Sequence, residues 1–381
     1  MAVRDSMATL SKTAMGSFNS RIGIIRKIWR LLPVFVALPV LAQIDSRELQ
    51  VPPAEVPRPI VQLQSLSTND RTELTKTDWK QRRGSLKKQW QSFLGKVPRK
   101  RTSMKGRVLE SEELSEFTRQ HVEYQIEKGI FTDGYLLTPR NRPGKLPAVV
   151  VFHQTTTSQA RQPAGLDQSK PELMHGVQLV KRGYVVLCPR SFIFQGPSYT
   201  SCVQKMQSLH PSWLGMTRMM FDGIRAVDYL ESLPNVDKAR IGGMGHSLGA
   251  KEVLYAAAFD ERYKAVVFSE GGIGLTFSNR DAVWYLGEGV RKPGFNLEHH
   301  ELLSLIAPRA FLLLAGNSAD SDASWAFIEA AIPIYKLLGS TANIGWFNHG
   351  LGHRYPPNAQ AIAETFLDGH LKPMVPAQHT F

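Results

Sequence analysis

The sequence predicts an α/β domain whose central sheet is mainly parallel and is covered by helices on both faces. Two observations lead to this fold class: strand-like and helix-like segments alternate along the chain, and several of the strand segments are short and continuously apolar. Continuous apolar runs are typical of parallel strands buried on both faces. Regular alternation with helices supplies the crossover connections that such strands need.

The first 42 residues are predicted to be a secretory signal peptide. Arg26, Lys27 and Arg30 precede an uncharged apolar stretch over 31–42, and the small residue Ala42 fits the cleavage rule. A helix of this length spans about 18 Å, which is too short to cross a hydrocarbon core about 30 Å thick. We therefore expect a periplasmic or secreted protein that meets the membrane only through this segment.

The rest of the chain is expected to contain a linker, one main domain and a tail. Residues 43–77 are rich in proline, which favours an extended linker. The main domain is expected over 78–372, beginning with a helical and basic extension, and residues 373–381 form the tail. In the extension, aromatic and apolar residues recur among basic ones over 78–94, which indicates an amphipathic helix.

The positive charge of the chain is concentrated near its N-terminus. The formal net charge is +13, and residues 1–110 hold 21 of the 46 Lys and Arg residues but only 8 of the 33 Asp and Glu residues. The remaining part therefore has no net charge. A nucleic-acid-binding domain carries its charge on the domain itself, so no nucleic-acid partner is expected. The basic run 96–107 could bind a polyanion, but a solvated linker is the favoured interpretation.

The elements of the main domain follow in regular order. Two paired strands are predicted over 117–125 and 129–139, joined at a lysine-glycine turn. Further strands are predicted over 147–152, 184–188, 239–244, 263–269, 309–315 and 343–347. Further helices are predicted over 171–182, 214–232, 248–258, 323–338 and 357–369.

One strand-to-helix junction carries a G-x-S-x-G motif at residues 245–249. In this context the glycines allow a sharp turn that lifts the hydroxyl of Ser247 above the sheet. The start of the following helix points backbone N–H groups toward a developing oxyanion. We therefore interpret Ser247 as a nucleophile; the alternative is an ordinary glycine-rich turn.

A serine nucleophile needs a base and an orienting carboxylate, which follow it in the order Ser, Asp or Glu, His. His353 lies on a glycine-bracketed loop after the last strand and is the favoured base, whereas His349 stands at the strand end. Asp320 follows the preceding strand and is the favoured carboxylate. Asp322 is expected instead to cap the next helix, and Glu270 at the end of an earlier strand is a third candidate.

These stretches together resemble an α/β-hydrolase of the dienelactone-hydrolase-like and acetyl-xylan-esterase-like bacterial group, over roughly residues 78–372. The resemblance implies the α/β-hydrolase fold, no cofactor, and an oxyanion hole formed by the N–H groups of Leu248 and of Gln154 or Thr155. Dienelactone hydrolases proper use a cysteine nucleophile, so their substrate is not implied. Glucuronoyl esterases have a lysine similarly placed to Lys251, which implies contact with a sugar; the alternative is a structural ion pair, for example with Glu270.

Several other residues are candidates for binding or chemistry. Trp284 either lines a substrate cleft or packs beneath the loop that carries it. The acidic and histidine residues over 298–301 lack the spacing of a metal site, and no metal is expected. Cys188 and Cys202 could form a disulfide in an oxidising compartment.

The sequence thus favours a secreted serine hydrolase that cleaves carboxylic esters of small molecules or carbohydrates. The candidate carbohydrate esters are acetyl and glucuronoyl esters. Two alternatives remain: a serine peptidase of the same fold, because amide hydrolysis uses the same groups, and an inactive secreted binding protein. A complete set of Ser247, His353 and Asp320 favours the enzyme. The sequence does not predict the oligomeric state.

Overall fold

The structure is a computed structural model that describes residues 48–55, 63, 66, 74–98, 100–279 and 282–373. The predicted signal peptide lies outside the described residues, as do most of the predicted linker and all but one residue of the predicted tail. Within the described ranges, no helix is long and apolar enough to cross a membrane.

The described part of the chain contains a nine-stranded sheet. Its strands are β1 (Arg107–Glu113), β2 (Phe117–Glu127), β3 (Ile130–Pro139), β4 (Leu146–Phe152), β5 (Val185–Pro189), β6 (Val236–His246), β7 (Tyr263–Ser269), β8 (Ala310–Ala315) and β9 (Ile344–Asn348). The spatial order is β1-β2-β3-β5-β4-β6-β7-β8-β9. The pairings among β1, β2, β3 and β5 are antiparallel, and those from β5 to β9 are parallel. The mainly parallel sheet predicted from the sequence is confirmed.

Helices cover both faces of this sheet, as predicted. They are α1 (Lys76–Leu94), α2 (His175–Lys181), α3 (Tyr199–Leu209), α4 (Gly215–Ser232), α5 (Leu248–Phe259), α6 (Val283–Leu286), α7 (His299–Ile306), α8 (Trp325–Leu337) and α9 (Pro357–Leu371). The side chains of β4 show the two-sided packing: Val149 and Val151 join the core beneath α2 and α9, and Val150 and Phe152 join the larger core on the other face. Successive residues of a strand point to opposite faces, so a strand with no polar side must be buried on both.

The sequence missed four elements, the strand β1 and the helices α3, α6 and α7. Every residue of β1 is exposed, so the strand has no alternation of buried and exposed positions that a pattern could reveal. Helix α3 begins at a capping pair, Ser198 and Ser201, in a segment that the sequence left unassigned. The basic run before β1 makes ion pairs, with Arg101 contacting Asp228.

The parallel strands place their carboxyl ends at one edge of the sheet. Ligand sites in α/β sheets lie at this edge, because the loops that leave the strands there carry the polar groups. Six of the described loops begin here, after β4, β5, β6, β7, β8 and β9. Every candidate catalytic residue from the sequence lies in one of them.

Candidate active site

Ser247 occupies the turn between β6 and α5. Its backbone has φ 57° and ψ −118°, a conformation that an L-residue rarely adopts and that is found mostly where the fold enforces it. The flanking glycines explain how the turn is possible: a Cβ on Gly245 would lie 2.1 Å from the carbonyl carbon of Gly249, and one on Gly249 would lie 2.1 Å from the oxygen of Phe152. The sharp turn expected from the motif is present.

His353 lies on the loop after β9, and its Nδ1 is 3.1 Å from Oε2 of Glu270. The Glu270 side chain is fully buried, whereas that of His353 is 40% exposed. Glu270 is held from the other side by the backbone N–H groups of Gly316 and Ala319, which donate to its two oxygens. A carboxylate at Nδ1 leaves Nε2 as the basic nitrogen of a neutral imidazole.

Ser247, Glu270 and His353 line one cavity of about 450 Å³. This volume lies within the range of small-molecule sites. The other lining residues come from α5 and from the loops after β7 and β8: Lys251, Gly271, Phe277, Ser278, Tyr285, Ser318 and Ala319. The structure therefore brings the sequence-predicted serine and histidine to the same cavity.

The expectation that Asp320 orients His353 differs from the structure. Asp320 is completely buried, and it accepts hydrogen bonds from the N–H groups of Gly272 and Ile273, each at 2.7 Å, and from the hydroxyl of Ser324 at 2.8 Å. Burial raises the pKa of Asp320 to about 6. Its bonds are thus directed to the loop after β7, and Glu270, the third candidate from the sequence, contacts the histidine.

The expected role of Asp322 as a helix cap also differs from the structure. The side chain of Ser321 accepts from the N–H of Ala323 and therefore caps the short helical turn over Asp322–Ser324 that precedes α8. Asp322 instead accepts a hydrogen bond of 2.6 Å from Nδ2 of Asn348.

His349 follows β9 and bonds the end of β8 and its own loop. Its N–H donates to the oxygen of Ala315 at 2.9 Å, and its Nδ1 accepts from the N–H of Leu351 at 3.1 Å. Partial burial lowers the pKa of His349. It is not among the lining residues of the cavity that contains Ser247.

His246, the residue before Ser247, contacts His353, and the sequence did not predict this contact. Its buried ring lies 4.7 Å from that of His353, measured between centroids, and its Nδ1 is 3.0 Å from the hydroxyl of Ser269. Burial lowers its pKa well below the usual value, so the ring is neutral at pH 7. The sequence shows only that His246 lies inside the motif. It does not show that the loop of His353 packs against it.

The two residues predicted to form an oxyanion hole lie at neighbouring strand ends. Leu248 is the first residue of α5, and Gln154 lies two residues beyond β4. His153 fixes the latter loop: its Nδ1 donates to the oxygen of Gln154 at 2.7 Å, and its Nε2 accepts from the N–H of Ser191 at 3.1 Å. Burial lowers the pKa of His153 to about 4, which matches this neutral form.

Lys251 enters the cavity from the first turn of α5. Its Nζ donates to Oγ of Ser278 at 2.7 Å and to Oδ1 of Asn279 at 3.0 Å, and it lies 5.4 Å from the ring centroid of Tyr285. A cation at this distance from an aromatic face is attracted to it. Tyr285, and not the predicted Trp284, is among the lining residues, while Trp284 packs beside it with ring centroids 3.7 Å apart.

The residues over 298–301 are used in packing. His299 bonds the oxygen of Ile273 through Nδ1 and the hydroxyl of Tyr255 through Nε2, both at 2.7 Å. Glu301 accepts from Nε1 of Trp90 at 2.9 Å. In the described residues no group of three or more His, Cys, Asp or Glu side chains has a metal-binding arrangement.

The possible disulfide between Cys188 and Cys202 is not formed. Both thiols are free and buried, and they belong to cores on opposite faces of the sheet. The Sγ of Cys202 donates instead to the oxygen of Ile193 at 3.3 Å.

Comparison with known proteins connects this geometry to hydrolases. Residues 132–280 match the model of the Dienelactone hydrolase family. The Bacillus subtilis (strain 168) protein named Putative hydrolase YtaP is 27% identical over 256 residues, which is 61% of this chain and 80% of that protein. The 4-O-methyl-glucuronoyl methylesterase 1 of Sodiomyces alcalophilus is 26% identical over 164 residues, which is 35% of this chain and 33% of that protein. The latter match spans about a third of the esterase.

Solved structures with the same fold include esterases. A glucuronoyl esterase from Solibacter usitatus superposes with a TM-score of 0.68 at 17% identity, covering 83% of this chain and 99% of that chain. A family 15 glucuronoyl esterase from Caldicellulosiruptor kristjansonii gives a TM-score of 0.61 at 19% identity, covering 86% and 98%. The chain therefore has the α/β-hydrolase fold, and it resembles the dienelactone hydrolase family over residues 132–280.

Proposed function

We propose that this chain hydrolyses carboxylic esters through an acyl-enzyme formed on Ser247. The observation that carries the proposal is the shared cavity, which is lined by a serine on a strained turn and by a histidine bonded to a buried carboxylate. This is the arrangement that activates a serine hydroxyl. The hydrolase and esterase relatives support the same reaction class.

In the first half of the reaction, Nε2 of His353 takes the hydroxyl proton of Ser247 as Oγ attacks the ester carbonyl carbon. Glu270 accepts the Nδ1–H of His353, which fixes the tautomer and stabilises the imidazolium. The tetrahedral intermediate collapses when the alcohol leaves with the proton from Nε2. Water then attacks the acyl-enzyme and gives a proton to Nε2 of His353. The carboxylic acid leaves as that proton passes from Nε2 to Oγ, which regenerates Ser247.

The charge on the tetrahedral oxygen needs fixed donors. We assign this role to the backbone N–H groups of Leu248 and Gln154, which follow the neighbouring strands β6 and β4. The N–H of Leu248 opens α5, where the helix dipole also favours negative charge. His153 holds the carbonyl of Gln154 and thereby orients the peptide group between Gln154 and Thr155, which follows the assigned donor in the chain.

The substrate class that fits the cavity is a carbohydrate ester. The buried ammonium of Lys251 brings a positive charge to the cavity wall, and the hydroxyl of Ser278 beside it can bond sugar oxygens or a uronic acid group. Tyr285 adds an aromatic wall backed by Trp284. Glucuronoyl esters are the first choice, since the similar structures include glucuronoyl esterases, and acetylated sugars are the second.

The test is a panel of substrates with the purified full-length protein: nitrophenyl acetate, acetylated sugars, methyl glucuronate and a small peptide amide. We expect turnover of the esters, and labelling of Ser247 by a fluorophosphonate probe that Ser247→Ala abolishes. Preferred cleavage of the peptide would support the peptidase alternative. Binding of the sugar esters with neither turnover nor labelling would support the inactive binding protein.

The proposed mechanism uses only side-chain and backbone groups of this protein, together with water. We therefore expect ester hydrolysis without added metal and without loss in the presence of a chelator. If a chelator abolishes ester hydrolysis and added zinc restores it, the mechanism is contradicted.

Export is the proposed fate of the chain, based on the signal sequence over 1–42. Mass spectrometry of the exported protein should find Gln43 at or near its N-terminus. A membrane-embedded product that retains residues 31–42 would contradict this.

A further inference from the structure

A row of four aromatic side chains extends away from the proposed active site. The aromatic row consists of Phe194, Tyr199, Trp284 and Tyr285, with successive ring centroids 5.3, 5.1 and 3.7 Å apart. The first three rings are partly exposed, and Tyr285 at the end of the row lines the cavity of Ser247. The row is therefore a partly exposed apolar surface that continues from the active-site cavity.

A second cavity of about 470 Å³ lies at the far end of the aromatic row. Phe194 and Tyr199 form part of its wall. The other lining residues are hydroxyl-bearing, amide or uncharged: Thr155, Thr156, Thr157, Gln159, Ile193, Gly196, Pro197 and Ser198. This lining contains no charged side chain, whereas the cavity of Ser247 contains Lys251, Glu270 and His353.

The second cavity adjoins the loop that carries the proposed oxyanion donor. Thr155 is the residue after Gln154, and the opposite wall belongs to the loop after β5. His153 joins these two loops, since its Nε2 accepts from the N–H of Ser191 and its ring packs against Phe194 with centroids 5.2 Å apart. A ligand in this cavity would therefore contact the loop that carries the proposed oxyanion donor.

We propose that the second cavity and the aromatic row bind neutral sugar rings of the oligosaccharide that carries the ester. This inference rests on the proposed function for its substrate but concerns a separate site. A sugar ring presents an apolar C–H face and a rim of hydroxyl groups. The aromatic rings suit the face, and the threonine, serine and glutamine side chains suit the rim. The absence of charge in this lining selects an uncharged chain over an acidic one.

The test is isothermal calorimetry of the wild-type protein with xylotetraose, cellotetraose and mannotetraose. These neutral oligosaccharides carry no ester, so binding is measured without turnover. We expect at least one to bind, and Tyr199→Ala to weaken its affinity about five- to tenfold, the loss typical of one aromatic contact. Thr157→Val removes one hydroxyl with little change in shape, and we expect a loss of about two- to fivefold.

Phe131→Ala is the matched control, because Phe131 is an exposed ring on β3 outside the aromatic row and outside this lining. It should leave the affinity unchanged. Circular dichroism and thermal melting check each variant, and Tyr199→Leu, which keeps apolar bulk, replaces Tyr199→Ala if the latter unfolds. Equal losses in Phe131→Ala and the Tyr199 variant would overturn the proposal.

Two further outcomes separate this proposal from the proposed function. Turnover of small esters with no binding of any oligosaccharide would refute the sugar site and leave the esterase intact. Binding of 3-phenylpropanol in place of the sugars, weakened by the Tyr199 substitution, would show that the occupant is an apolar alcohol and would also refute the proposal. Oligosaccharide binding that depends on Tyr199, in a protein that hydrolyses no ester, would support the site and refute the proposed function.

Discussion

Glu270 and Asp320 are two buried carboxylates in adjacent loops, and each is held by the loop of the other. Glu270 follows β7 and accepts from two N–H groups of the loop after β8, whereas Asp320 follows β8 and accepts from two N–H groups of the loop after β7. Neither side chain is exposed. In position, burial and backbone bonding the two residues are nearly equivalent.

They differ in the third partner. Glu270 meets His353, while Asp320 meets the hydroxyl of Ser324 at the start of α8. Burial and a strand-end position therefore do not identify the acid that orients a base. The acid is identified instead by the side chain that it contacts, which for Glu270 is His353 on the loop after β9. On this basis we give Glu270 a role in catalysis and Asp320 a role in joining the loops.

The largest effect on kcat is expected from replacing His353, which Glu270 contacts, or the nucleophile Ser247. Ser247→Ala removes the nucleophile and His353→Ala leaves the serine protonated, so each should lower kcat about 10³–10⁶-fold. The double variant should be little worse than either single one, because the two groups act as a unit. Steady-state kinetics with nitrophenyl acetate measures this.

His349→Ala is the control for the His353 substitution, since His349 bonds its own loop. We expect it to lose less than tenfold in kcat. Near-normal turnover in His353→Ala together with an inactive His349→Ala would show that the base has been assigned to the wrong histidine.

The next effect tests the acid directly. Glu270→Gln keeps the shape of the side chain but cannot stabilise the imidazolium, so we expect kcat to fall about 10²–10⁴-fold. The pH dependence of kcat should also change, because the residual activity depends on a histidine without its carboxylate. If Glu270→Gln leaves kcat unchanged, the role in catalysis that separates Glu270 from Asp320 is wrong.

Asp320→Asn should affect stability more than turnover. An asparagine amide placed against two backbone N–H groups leaves a buried donor unpaired, which costs about 1–3 kcal/mol. We expect a lower Tm and a loss in kcat below tenfold, measured by thermal unfolding and kinetics on the same preparation. An unchanged Tm with a larger loss of kcat than in Glu270→Gln would reverse the two assignments.

The smallest effect concerns Glu252, a third buried carboxyl, whose Oε1 has no hydrogen-bond partner among the described residues. Burial raises its pKa from 4.5 to about 8, above the value of about 6 for the better-bonded Asp320. The folded protein therefore keeps a proton that the unfolded chain releases between about pH 4.5 and 8, so the free energy of unfolding should fall as the pH rises through this window.

Glu252→Gln should remove this contribution. Urea unfolding at pH 5 and at pH 8.5 is the measurement, and the wild-type protein should lose more stability over this interval than the variant. The difference between the two proteins matters, since other groups titrate in both. Equal losses would show that Glu252 is not protonated in the folded protein.

The sequence by itself determined the parts of this protein that depend on local patterns. Apolar runs predicted β4 and its parallel neighbours, and the motif around Ser247 predicted a strained turn, because both are properties of consecutive residues. The loop of His353 was found in the same way. β1 was missed because a fully exposed strand leaves no periodic signal.

Only the tertiary structure decided which carboxylate meets His353. Glu270 and Asp320 are fifty positions apart, and both follow strands that end at the same edge of the sheet. The sequence favoured Asp320, because it follows the strand before the one that leads to His353, but nothing in the local sequence shows which carboxylate contacts the histidine. The choice depends on how the loops after β7, β8 and β9 cross, which is set by the packing of adjacent strands and not by any one segment. Only the tertiary structure likewise decided the contact between His246 and His353 and the formation of the aromatic row. Each of these is a contact between distant segments that only the folded sheet brings together.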